Sequence, residues 1–532
     1  MLLVLLAPVL DFPIVGDDAF WFTTQPAVFG HDAVGAFLAD IRATGDFGVT
    51  QTRFATLTAG VRSATMVWLF AAATHLGIAP TLLWSVLKLA HLLAILAAIS
   101  WFLREVGWRA TGARTLRLSP RTVDVISVVL PLLVVLGAKA QIFSQINAWT
   151  YYPLQTYQPV IVAFALPALV LRLYRNVQSR PRLWTVPTVV VLALVSIGLN
   201  NSYELFWAAV PAVGVVFVTT VVGIGRGRFS WTRGATVIAA AFFATFVALL
   251  AYNRAMVASR ACVDGQACYS GTDLSLTPAA VRHVVDNVVG SFPLLGNRDL
   301  VEREAAASGG TWTGGLPGWS SVVLALAAVA LAALLLRMTV VRTEGSGYGA
   351  RQDKTDLPVL LVVVVVAASV AATAALATGL SARAPSIMEG WAMPYRVGVV
   401  VWVCIALAIG ALGVIVGRSV GRAPRRVIGA LAVVAVTAVA ASSYDLNAAS
   451  ARFDAAIPSF TVTELVHDET VRGDRSAIGD ARRCGLVEDY VELRGVASYP
   501  MLTLTGAAGA FERTWGEPFC STEPDLADGI LS

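Results

Sequence analysis

The sequence predicts an α-helical polytopic membrane protein with about eleven transmembrane helices and a small mixed α/β extracytoplasmic domain at its C-terminus. Three observations predict it. Of 532 residues, 57% are hydrophobic and only 14% charged, against roughly 25% charged in a soluble domain. Apolar runs long enough to cross about 30 Å of hydrocarbon, roughly 20 residues each, recur along the chain. The basic residues fall between alternate runs, so the net charge of +5 is a topological pattern rather than a surface for acidic partners.

The runs lie near 82–103, 122–140, 158–174, 184–200, 204–224, 233–252, 319–341, 357–380, 396–417 and 426–442. Five short loops between them, "REVGWRATGARTLRLSPR", "RLYRNVQSRPR", "RGRFSWTR", "RMTVVRTEGSGYGARQDK" and "RSVGRAPRR", hold 20 of the 39 Lys and Arg residues. An excess of Lys and Arg marks cytoplasmic loops. Segments 12–80, 141–157, 200–204, 253–318, 381–395 and everything after 442 then face outward.

Two segments need separate treatment. "MLLVLLAPVL" spans only about 15 Å as a helix and lacks a basic n-region and an A-x-A-like cleavage site; it reads as the end of a first span whose N-terminal part lies upstream. Residues 57–79 are hydrophobic enough to cross, but crossing would put the next basic loop outside. An interfacial or re-entrant helix, broken from the next span at Pro80, keeps the parity. The N-terminus is then inside and the C-terminus outside the cytoplasmic membrane.

The division that follows is a transmembrane domain over 1–442, with outward loops 12–80 and 253–318, and a C-terminal domain over 443–532. The latter carries 7 basic and 15 acidic residues, and its "YVELRG" and "YPMLTLTG" read as strands. Cys262 and Cys268 share an outward loop, and Cys484 and Cys520 share the tail, so pairing within each segment is expected outside the cytoplasm. Cys404 falls in a span and reads as plain core.

Polar chemistry gathers at the outer ends of the spans. In "PIVGDDAFWFT", Asp17 and Asp18 sit at the mouth of the first span, followed at once by aromatics. A carboxylate there is costly unless hydrated or paired. "NNSYELFW" puts Asn201, Tyr203 and Glu204 in a tight turn at the same height. "NAWTYYPLQTYQP" adds Tyr152, Gln155 and Gln158, groups suited to carbohydrate or to an interfacial belt. "SARAPSIMEGWAMPYR" carries Arg383, Tyr395 and Arg396 where the charge rule disfavours arginine, and a lipid phosphate would account for them. His283 and Asp286, three apart in the large loop, share a helix face. Lys139 at a span end could meet a phosphate or snorkel. Lys88 and His91 share a face of the second span and are assigned no chemistry.

The whole arrangement resembles the GT-C superfamily of integral membrane glycosyltransferases, which take sugars from polyprenyl-phosphate carriers. The resemblance covers the architecture of essentially the full length. At motif level it rests on "DDAFWF" and, more loosely, on "TRFATL" with Arg53, where Thr52 replaces a glycine common in the family. It implies that one of Asp17 and Asp18 is the base, that the sugar is transferred with inversion, and that Arg53, Tyr152, Gln155, Asn201, Tyr203, Glu204, His283, Arg383, Tyr395 and Arg396 are candidate substrate-binding residues. The implied partners are a polyprenyl-phosphate-linked sugar donor, a glycan, lipid or protein acceptor, and membrane lipids. No metal site is assigned, although Asp17, Asp18 and Glu204 could hold a divalent cation.

A transporter or flippase of lipid-linked saccharides would place charges deep in several spans, whereas these are mostly Val, Ala and Leu. A glycan polymerase or ligase shares the outward arginines and the large loop. Cys–His zinc spacings, Gly-rich phosphate loops and nucleophile elbows do not occur, and the Arg-rich loops are topology signals rather than a nucleic-acid stripe.

Overall fold

A computed structural model describes residues 2–14, 16–50, 55–109, 115–140, 149–150, 153–222, 224–225, 228–229, 231–259, 275–294, 318–344, 356–381, 397–420, 422–455, 458–493 and 500–527. The chain starts with four helices: α1 (Leu2–Leu10), α2 (Gly16–Phe29), α3 (Ala33–Thr50) and α4 (Thr56–Leu76). The bundle follows: α5 (Pro80–Glu105), α6 (Pro120–Leu136), α7 (Pro153–Ser179), α8 (Pro181–Asn200), α9 (Glu204–Val222) and α10 (Arg233–Ala255). After α11 (Pro278–Val289) come α12 (Trp319–Glu344), α13 (Asp356–Gly379), α14 (Gly398–Ser419) and α15 (Arg422–Ala455).

Among the described residues, eight helices are long and apolar enough to cross a membrane: α5, α7, α8, α9, α10, α13, α14 and α15. This is a polytopic helical membrane protein. Helix α6 ends at Leu136, short of the expected 140, and α4 is not among the eight. The breaks follow local chemistry. Proline opens α5, α6, α8 and α11 at the first helical position, where its missing N–H is an orphan anyway. Ser119 and Thr277 cap α6 and α11 by accepting from the amides of Thr122 (3.4 Å) and Ala280 (3.2 Å).

One end of the bundle gathers the segments that adjoin the Arg-rich loops. Asp356, fully buried at the start of α13, accepts from Ser119 N (3.0 Å), Ser119 Oγ (2.8 Å), Thr122 Oγ1 (2.6 Å) and Arg418 Nη2 (3.0 Å). Three loop ends are thereby tied through one carboxylate, which is affordable in an apolar interior only because it is so fully satisfied. Nearby, Arg175 pairs with Glu105, and Arg109 donates to Tyr174 Oη at 2.7 Å. Two short hairpins, β1–β2 (Gly107–Trp108 with Leu116–Arg117) and β3–β4 (Ile224–Gly225 with Arg228–Phe229), close loops at this end.

The opposite end carries α2–α4 and the C-terminal helices. Helix α15 runs through position 442 unbroken, after which α16 (Pro458–Arg472), α17 (Ala477–Glu492) and α18 (Pro500–Trp515) form a small helical unit. The expected strands are corrected here: Tyr490–Glu492 closes α17, and "PMLTLTG" opens α18. Among the described residues beyond 442 there is no strand. Leu504, Ala507, Ala508 and Phe511 recur at helical spacing and are all buried, together with Val466, Val487 and Tyr490. Cys484 and Cys520 form the expected disulfide, Cys404 is buried and free, and Cys262 and Cys268 lie outside the described residues.

This unit docks on the Asp-pair helix. Helix α18 lies along α2, with Thr23 Oγ1 donating to Thr503 O at 3.3 Å. A Cβ on Gly506 would stand 2.7 Å from Thr23 Oγ1, so contact this close needs glycine there.

The disulfide closes a 36-residue separation, which by chain entropy stabilises the unit by about 3–4 kcal/mol. A Cys484→Ser/Cys520→Ser variant is expected to lose about that much in thermal or denaturant unfolding of detergent-purified protein; an unchanged midpoint would contradict the assignment.

Candidate functional site

The site begins where the first apolar helix stops. The last carbonyls of α1 have no intrahelical partners, and α5 supplies them across 75–79 residues of chain. Lys88 Nζ donates to Val9 O (2.9 Å) and Phe12 O (3.1 Å), and Ser85 Oγ donates to Leu10 O (2.6 Å). A cation at a helix C-terminus also faces the negative end of its dipole. Lys88 is fully buried, with two carboxylates within electrostatic reach, Asp11 and Asp18.

Asp18 lies in the first turn of α2 and is only 3% exposed. A helix N-terminus favours a carboxylate. Asp18 is thus a buried carboxylate within electrostatic reach of Lys88 rather than a hydrated cap. The side chain of Asp17 lies outside the described residues.

The aromatics after the Asp pair serve the packing. Phe22 is buried between Phe70 (5.8 Å between ring centroids) and His467 of α16 (5.1 Å). Trp21 lies under the Arg62 guanidinium at 3.8 Å, and Arg62 pairs with Asp40 at 4.0 Å. Arg62 was not singled out by sequence reading, because a helix read as interfacial gives no reason to choose one arginine.

One turn after Lys88, a polar track leads from α5 to α7. His91 Nδ1 donates to Leu87 O (2.8 Å), which leaves Nε2 to accept from Gln158 Nε2 (3.4 Å). Gln155, 3% exposed, reaches Tyr203 Oη with its Nε2 (3.4 Å). Its Oε1 is buried without a hydrogen-bond partner among the described residues. The 201–203 turn then meets the start of α4: Leu57 N donates to Asn201 O (2.9 Å), Thr56 Oγ1 to Asn201 Oδ1 (3.4 Å), and Tyr203 N to Thr58 Oγ1 (3.2 Å). Gln155, Asn201 and Tyr203, chosen from separate segments, are therefore neighbours, and Glu204 follows at the first turn of α9.

His283 belongs to a second polar group. It stands 3.9 Å from Asp286, and the next residue, Asn287, ties α11 to α13 through Ala375 O (3.3 Å) and Thr378 Oγ1 (2.9 Å). Lys139, expected at a phosphate or snorkelling, is instead buried with its ammonium on Gly290 O, at the end of α11. Arg53, Tyr152, Arg383, Tyr395 and Arg396 lie outside the described residues. Among the described residues no three His, Cys, Asp or Glu side chains are grouped to hold a metal ion.

No family model, curated protein or solved structure matches this chain. The reading of the site stands on its geometry.

His467 seals the C-terminal unit onto α2 in its neutral form. Burial holds its pKa down at about 3, and Nε2 has no hydrogen-bond partner among the described residues. With the folded pKa below the ordinary 6.5, the unfolded chain binds the extra proton between those values. Stability contributed here is present above about pH 6.5 and is lost as pH falls toward 3. A His467→Leu variant should show a flatter melting temperature between pH 6.5 and 4.5 than the parent; identical pH slopes would refute the assignment.

Proposed function

We propose that this protein is a membrane glycosyltransferase of the GT-C type. It moves a hexosyl or pentosyl group, with inversion, from a polyprenyl-phosphate carrier to a glycan, lipid or protein acceptor. On this reading it lies in the cytoplasmic membrane with about eleven spans, N-terminus inside and C-terminal unit outside, and serves synthesis of cell-envelope glycan or glycoconjugate.

The observation that carries the proposal is the buried carboxylate just after the first apolar helix: Asp18, within electrostatic reach of Lys88, with polar groups of His91, Gln158, Gln155 and Tyr203 beyond it. A donor whose isoprenoid tail stays in the bilayer presents its reacting carbon near the headgroup plane, and the ends of spanning helices lie at that depth.

The chemistry is a substitution. The acceptor hydroxyl gives its proton to a carboxylate as its oxygen attacks the anomeric carbon. The bond from that carbon to the phosphate oxygen breaks, and the polyprenyl phosphate leaves with the electron pair. Asp18 is the carboxylate proposed to take that proton. Charge on the leaving phosphate calls for a cation or a fork of donors, the role proposed for Arg53, Arg383 and Arg396. Amide and hydroxyl groups of Gln155, Asn201 and Tyr203 suit sugar hydroxyls, and the buried Gln155 Oε1 is an acceptor awaiting such a donor.

Removing one general base costs about 10²–10⁴-fold in rate. In membranes supplied with polyprenyl-phosphate sugars, Asp18→Asn is expected to lose transfer by that factor while the protein still elutes as a monodisperse peak. Asp17→Asn, assayed beside it, separates the two carboxylates. Full transfer by both variants would remove the proposed base.

A further inference from the structure

A cavity of about 540 Å³ opens beside the end of α1. Its walls come from three distant segments: Asp11 and Phe12 after α1, Tyr444 and Arg452 from α15, and Phe460 and Glu464 from α16. Small residues, among them Ala7, Ala448 and Ala451, form the rest of the lining. The volume falls within the range of small-molecule sites, about 300–1,000 Å³.

The lining chemistry selects among ligands. Asp11 and Glu464 are carboxylates and Arg452 is one guanidinium, so the walls carry net negative charge. A phosphate would meet two like charges and one opposite, which disfavours it. A neutral polyhydroxyl group meets two strong acceptors and a fork of five donors. Phe12 and Phe460, edge to face at 6.2 Å between centroids, and the Tyr444 ring supply apolar surface for the C–H face of a sugar ring. Glu464 is positioned for this by Thr81, whose Oγ1 donates to Oε1 at 2.8 Å. Asp11 links the cavity to the reaction end, since it and Asp18 act on the same Lys88 ammonium.

We infer that this cavity is a saccharide site, built jointly by the end of the first helix and the C-terminal helical unit, and that it holds the glycan acceptor. The role of acceptor rests on the transferase reading; the binding of a neutral sugar does not. Helix α16 of the C-terminal unit is then one wall of the substrate site.

The test uses the full chain in lipid nanodiscs and saturation-transfer NMR with methyl glycosides of glucose, galactose, mannose and arabinose at millimolar concentration. At least one glycoside is expected to give a transfer signal. That signal should fall at least tenfold in Asp11→Asn/Glu464→Gln and in Thr461→Trp, which fills the cavity from an exposed position and leaves both carboxylates. Asp18→Asn should retain it. Signal from no glycoside, a signal unchanged in both cavity variants, or displacement by undecaprenyl phosphate at equimolar concentration would overturn the site. Sugar binding to the cavity by a parent protein that transfers no sugar from any polyprenyl-phosphate donor would leave the cavity standing and remove the transferase reading.

Discussion

The buried amine of Lys88 is the constraint on which this end of the molecule depends. A polar group in an apolar interior is costly unless hydrogen-bonded, and Lys88 donates to two backbone carbonyls, Val9 O and Phe12 O, with the carboxylates of Asp11 and Asp18 within electrostatic reach. Because the donors are on α5 and the carbonyls they bond belong to Val9, Leu10 and Phe12, the end of the short first helix and the turn after it are fixed to α5. The mouth of the cavity at Asp11 is thus set by contacts with a distant helix rather than by local propensity.

A second constraint acts at the far end. Asp356 collects four hydrogen bonds from α6, its cap and α14, so the ends of three loops rich in arginine are held in register. The bundle is thus pinned by a buried, hydrogen-bonded lysine at one end and a buried, hydrogen-bonded aspartate at the other, with Val, Ala and Leu between. The C-terminal unit adds a third element at the Lys88 end. Its helices α16 and α18 cover α2 and α4 through His467, Val471, Gly506 and Ala510, so the first and last parts of the sequence share one core.

How much of this was legible in the sequence depends on the range of the signal. Spans were legible because an apolar run and its flanking arginines are local, and Pro80, Pro120 and Pro181 mark their starts in plain view. The grouping of Gln155, Asn201 and Tyr203 was legible from topology, since loops on one side of a bundle must meet at one height. The strand reading of "YVELRG" and "YPMLTLTG" failed because β-branched and aromatic alternation over six residues was weighed above Leu504, Ala507, Ala508 and Phe511, whose helical period rests on small side chains. The role of Lys88 was not legible at all: its face on α5 is visible, but its partners are backbone carbonyls far back in the chain, which no spacing reports. Asp11 was passed over for the adjacent pair Asp17 and Asp18 because a single carboxylate carries no pattern.

On the proposed function the Lys88 end, with Asp18 and the C-terminal unit, faces the outside of the cell, while the Asp356–Arg418 end faces the cytoplasm. Labelling with a membrane-impermeant maleimide tests it most directly, in a background with Cys262 and Cys268 replaced by serine and with Cys404 buried. Thr461→Cys, exposed on α16, should label in intact cells, and Ser419→Cys, exposed at the end of α14, only after permeabilisation. Labelling of Ser419→Cys in intact cells with Thr461→Cys protected would invert the topology and contradict the proposed site of reaction.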